Sequence, residues 1–126
     1  MANIGDITFQ FLYIINQMKI YHWQTKVYAR HIASDSLIQS LLEKTDKFLE
    51  TMQGSENKRL LLNSKNSSIQ LKNESDTSIL KVLKSFKEWL EYKLPGYLTE
   101  ENSDLMNIRD DILGDVNKTI YLFTFE

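Results

Sequence analysis

The chain has 126 residues, of which 15 are basic and 17 acidic, for a formal net charge of −2. That balance excludes a global attraction to nucleic acid or anionic membrane, and the absence of cysteine excludes disulfides, thiolate metal sites and a cysteine nucleophile. With 42% hydrophobic and 25% charged residues, the length suits a single domain, 1–126, whose modest core oligomerisation would reinforce. The run from Phe9 to Ile15 is broken by Gln10 and followed by Asn16, Gln17 and Lys19, well short of the ~18 apolar residues of a membrane span. No signal peptide is expected, and a soluble cytoplasmic protein is.

In chain order, Ile7, Phe11, Ile14, Ile15 and Met18 recur at helical spacing and His22 continues the stripe, so a first helix over about 5–24 points His22 inward. Gln24 to Arg30 loses the pattern and reads as a turn. A second helix over 30–53 carries two apolar lines, one of Leu37, Leu41, Phe48 and Met52 and one of Ile38, Leu42 and Leu49, which implies two partners. Gly54 is the expected C-cap, and 54–76, rich in Asn, Ser and Lys, is the expected linker. Ser75 or Asp76 would cap a third helix over 77–93, built on Ile79, Leu83, Phe86 and Leu90 and ended by Pro95-Gly96. Thr99 would cap a fourth, over 99–124, with Glu100, Glu101 and Asp104 in its first turn and Leu105, Ile108, Ile112, Val116, Ile120 and Phe123 on its apolar face. The expected fold is an all-α four-helix bundle. Its long connection between helices 2 and 3 would let those two run parallel, as in ferritin-like bundles.

Five residues carry the chemistry. With His31 as zero at about 100° per residue, Asp35 falls near 40°, Asp46 near 60° and Glu50 near 100°, all on one helix face. His31 and Asp46 are nevertheless separated by roughly 22 Å of helix, while bonds from a metal to nitrogen or oxygen are about 2 Å long. One chain therefore cannot bring both to one ion. An antiparallel two-fold dimer of this helix would set His31 and Asp35 opposite Asp46 and Glu50 of a second copy, and His22 would complete a His-plus-carboxylate site suited to iron or to Zn2+. Taken singly, His22 is an ordinary core histidine and the acids are ordinary solvated helix residues, Asp46 with Lys44 or Lys47 at hand.

The segment YHWQTKVYARHIASDSLIQSLLEKTDKFLETM, Tyr21 to Met52, resembles the first two helices of Dps-like mini-ferritins. His22-Trp23 match that family's His-Trp pair, His31 and Asp35 its second His and Asp, and Asp46 and Glu50 its acidic pair. The resemblance implies a ferroxidase centre shared between subunits, oxidation of Fe(II) by peroxide or oxygen, a dodecameric cage, and Trp23 as a local electron donor. The interval from His22 to His31 is shorter than in that family, which implies a tighter turn. DNA binding is not expected, since MANIGDITF and FTFE lack a Lys/Arg-rich tail. KIYHWQTKVYARH together with LMNIRDDILGDVNKTIYLFTF is also similar to small proteins of large DNA viruses, which adds a virion to the expected locations. Two other readings use the same residues: a catalytically silent structural or packaging protein, and a metal-stabilised dimer without turnover. Glu100, Glu101 and Asp104 would line a cation pore if a cage forms.

Overall fold

The computed structural model describes residues 4–125. Those residues form four α-helices and no strand: α1, Ile4–Gln24; α2, Tyr28–Glu56; α3, Ser78–Glu88; and α4, Ser103–Leu122. None of these helices is long and apolar enough to cross a membrane. Both α1 and α4 pack against both α2 and α3.

Several boundaries differ from expectation, each for a local reason. Gly54 lies inside α2, which is closed by Asn57 in the left-handed region at φ 53°; the N–H groups of Asn57 and Lys58 both donate to the Gln53 carbonyl. Asparagine tolerates that conformation better than other residues with side chains, so it takes the role expected of glycine. The first interhelical turn is only Thr25–Val27, because Arg30 and His31 already donate backbone N–H bonds to the Val27 carbonyl. Ahead of α3, Ser75 Oγ accepts the Ser78 N–H while Ser78 Oγ accepts that of Ser75, a reciprocal cap. Beyond α3 the chain widens into a π-helical turn, Trp89–Lys93, then tightens into a 3-10 turn, Leu94–Tyr97, as Pro95 removes an N–H from the ladder. Thr99 does not cap α4. Its N–H and hydroxyl both donate to Asn102 Oδ1, closing a separate turn, so Glu100 and Glu101 precede the helix and only Asp104 sits in its first turn.

The core follows the apolar stripes. Ile7, Phe11, Ile14 and Met18 of α1 meet Leu37, Leu41, Phe48 and Met52 of α2, Ile79, Leu83 and Phe86 of α3, and Leu105, Ile112 and Val116 of α4. Each contributes about 1.5–3 kcal/mol relative to exposure. Phe11 lies edge-on to both Phe48 (5.3 Å between ring centres) and Trp89 (5.7 Å), linking three elements. Of the second apolar line on α2, Ile38 is buried, Leu49 half-buried and Leu42 exposed.

Residues 57–77 carry no helix, and part of this segment is strapped to α1. Asn66 Nδ2 donates to Asp6; Gln17, fully buried, exchanges two bonds with the Lys72 backbone; and Gln24 bonds Asn73 and the Glu74 N–H. A Cβ on Gly5 would lie 2.6 Å from Asn66 Nδ2 and 3.0 Å from the Leu61 carbonyl, so only glycine permits this approach.

At the far end of the strap all four helices meet. Tyr21 Oη donates to Asp76 Oδ1 (2.6 Å) and accepts from Arg30 Nη1 (3.0 Å); Thr25 also donates to Asp76, and the Arg30 guanidinium lies 4.8 Å over the Phe123 ring. The ends of α1 and α4 thus adjoin the starts of α2 and α3, so α2 and α3 run the same way. The Tyr21 hydroxyl bond, reinforced by Thr25 and the Arg30 charge against partial burial, holds the Asp76 carboxyl below its ordinary range. Burial, then the bond to Asp76, raises Tyr21. A depressed carboxylate stabilises the fold above its unfolded pKa, and that stability is lost as pH falls through the folded value. Thermal unfolding against pH should therefore show a loss below about pH 4 that is shallower in Asp76→Asn. Tyr21→Phe should cost about 1–2 kcal/mol in urea unfolding. An Asp76→Asn acid limb identical to the parent's would contradict this role.

Candidate metal centre

The short turn determines how the two histidines meet. His22 is the third-last residue of α1 and His31 the fourth residue of α2, so each ring reaches the other's main chain. His22 Nδ1 lies 2.8 Å from the His31 carbonyl oxygen, and His31 Nδ1 lies 2.9 Å from that of His22. A carbonyl only accepts, so both Nδ1 atoms carry the proton and both Nε2 atoms keep a free lone pair in the neutral rings. Such an Nδ1–H to carbonyl bond orients an imidazole for metal binding through Nε2. Ser34 Oγ also accepts from His22 Nδ1 (3.0 Å) while donating to the His31 carbonyl. Reasoning from the sequence missed Ser34, although its place three residues after His31 puts it within reach of that carbonyl.

The rings stack, 4.0 Å between centres and 14° apart, and Tyr28 extends the stack at 6.3 Å from His31. An ion bound to imidazole lies in the ring plane about 2 Å from nitrogen. Near-parallel planes this far apart share no such point, so in this arrangement the two Nε2 atoms address different positions. His22 is buried, at 9% exposure, and His31 is half-buried.

The remaining candidates stand on the outer face. Asp35 lies one turn beyond His31, and Asp46 and Glu50 lie one turn from each other farther along α2; all three are exposed. Within one chain the described residues bring no three His, Cys, Asp or Glu side chains together around an ion. Lys44, expected beside Asp46, instead pairs with Asp115, which Ser40 also bonds. Trp23 is exposed, with the Lys19 ammonium 5.5 Å from its ring centre. Tyr21 and Arg30, adjacent in sequence to the two histidines, are committed to the Asp76 junction.

Residues 22–123 match the model of a family described as "Family of unknown function (DUF5856)". The chain belongs to that family. The matched span of this DUF5856 chain begins at His22 and includes His31, Asp35, Asp46 and Glu50. No curated protein and no solved structure matches the chain.

The reciprocal bonds have a direct spectroscopic consequence. Long-range 1H–15N correlation at a pH where the imidazoles are neutral should show the Nδ1–H tautomer for both His22 and His31. An Nε2–H tautomer at either would remove the free lone pair the site requires.

Proposed function

We propose that this chain is a Dps-like ferroxidase that oxidises Fe(II) at sites shared across an antiparallel two-fold dimer, sequestering iron and consuming peroxide or oxygen. The observation that carries the reading is the His22–His31 pair, with both Nδ1–H groups tied to carbonyls and both Nε2 atoms left unprotonated, together with Asp35, Asp46 and Glu50 exposed along the helix that carries His31. The course of the chain agrees with a ferritin-like connection, since α2 and α3 run the same way and 57–77 spans the interval between them. Trp23, Tyr28, Ile32 and Leu42 expose apolar area on α1 and α2 that a second copy would cover. A dodecameric cage is a further assembly of such dimers.

In this reading His22 and His31 each offer Nε2 to an iron, Asp46 binds an iron or bridges, and Glu50 spans two irons from the second copy. Asp35 holds a weaker iron or orients an imidazole, and Trp23 is the nearby one-electron donor. Two Fe(II) each lose one electron; peroxide gains both, its O–O bond breaks, and the oxygens leave as two hydroxides. Paired transfer avoids release of hydroxyl radical. Zn2+ would compete for the same donors without turning over. Cytoplasm or a virion would both accommodate the activity.

Subunit mixing tests the shared site. His22→Ala/His31→Ala and Asp46→Ala/Glu50→Ala, each checked for parental mass and helicity, should be inactive alone in peroxide-driven Fe(II) oxidation. Refolded together in equal amounts, half the dimers carry one rebuilt site of two, restoring about one quarter of parental activity. No recovery would mean the two sets do not share a site. A parent no faster than buffer would favour a structural or packaging role.

A further inference from the structure

The net charge of −2 is not evenly spread along the chain. Residues 57–73 carry four cations, Lys58, Arg59, Lys65 and Lys72, and no acid. None of the four forms an ion pair among the described residues. The same segment holds the large apolar side chain most open to solvent among the described residues, Leu61 at 82%, beside Leu62 at 52%. Their exposure does not come from slack backbone. Ahead of them the Leu60 N–H donates to Gln53 Oε1; behind them the Asn63 N–H donates to Asn66 Oδ1, while Lys65 and Asn66 donate backbone N–H bonds to Asn63 Oδ1. Asn66, buried, fastens this turn to Asp6 of α1. Two leucines are thus held out in water by a loop anchored on both sides, and with Lys58 and Arg59 they line a cavity of about 330 Å³. Glu56 also borders that cavity, where the two cations outnumber it. Cations set beside projecting apolar side chains match the boundary of an anionic bilayer, where headgroup phosphates meet acyl chains. A nucleic acid would answer the charges and leave the leucines in water, so the two features together favour the membrane surface.

We propose that loop 58–65 docks this bundle on anionic phospholipid, with Lys58 and Arg59 on a headgroup phosphate at the cavity and Leu61 and Leu62 at the edge of the acyl chains. The protein lies on the surface and does not span it, in keeping with helices that are too short of apolar length to cross. The loop adjoins Gly5, at the opposite end of α1 from His22, and contains none of the proposed iron-binding residues, so it stands or falls apart from the ferroxidase reading. Sedimentation of the full chain with extruded vesicles checks it. At low salt, vesicles of about one-third phosphatidylserine in phosphatidylcholine should carry the parent down, and vesicles of phosphatidylcholine alone should not. Lys58→Gln/Arg59→Gln and Leu61→Ser/Leu62→Ser should each bind roughly tenfold more weakly. All four side chains are exposed, so both variants should keep parental unfolding curves. Lys84→Gln/Lys118→Gln, which removes two exposed cations elsewhere, should bind as the parent does. Glycerophosphoserine, the headgroup without its chains, should not displace the protein from vesicles. Binding that survives the leucine changes would reassign the loop to polyanions such as nucleic acid. That result, absence of anion-dependent sedimentation by the parent, or unchanged binding by the Lys58/Arg59 variant would overturn the proposal.

Discussion

The constraint on which the rest depends is the burial of Tyr21. A tyrosine with no exposed surface must find partners for its hydroxyl, and here the partners are Asp76, ahead of α3, and Arg30, near the start of α2. Arg30 in turn covers Phe123 beyond α4, whose ring lies 5.7 Å from that of Tyr21. One phenol thus ties together the ends of four helices. Its immediate neighbours are the histidines: Tyr21 precedes His22 and Arg30 precedes His31. The turn that lets Arg30 reach Tyr21 is the turn that lets each imidazole reach the other's carbonyl.

The strap follows from the same arrangement. If α3 is to begin beside the end of α1, the chain leaving α2 has to travel the length of the bundle, and its backbone polar groups need partners on the way. Gln17 and Gln24, seven residues and therefore about two turns apart on α1, provide them by pairing amide groups with Lys72, Asn73 and Glu74. The polar composition of 57–77 thus reflects a segment held by hydrogen bonds more than by buried area.

The apolar stripes made the four helices legible, since Phe11, Leu41, Leu83 and Ile112 occupy the core that their spacing dictates. What the spacing could not convey was settled by side chains bonding to backbone. Asn57 displaced Gly54 as the cap of α2, and Asn102 detached Thr99 from α4. Gln17 reads as a polar break in an apolar helix, yet it is fully buried because its partner is a backbone 55 residues away. At the site, periodicity placed Asp35, Asp46 and Glu50 on one outer face. It carried no information on the reciprocal imidazole bonds, which depend on how tightly three residues turn.

That reciprocity bears on how the proposed dimer would work. Each Nδ1–H is anchored on the other histidine's carbonyl, so a ring cannot tilt to share an ion with its neighbour without weakening its own bond. The pair is suited to two ions, one per ring, which is what a two-electron oxidation by two ferrous ions requires. If Asp46 and Glu50 of a second copy supply the bridging carboxylates, the two-fold axis must cross α2 midway between the two sets, between Ser40 and Leu41. An antiparallel copy about that axis sets exposed Ile32 against half-buried Leu49 and brings the two Leu42 side chains near each other. The second apolar line on α2, more than the core requires, then has a use: it seals the surface that holds the acids at the distance the imidazoles cannot span alone.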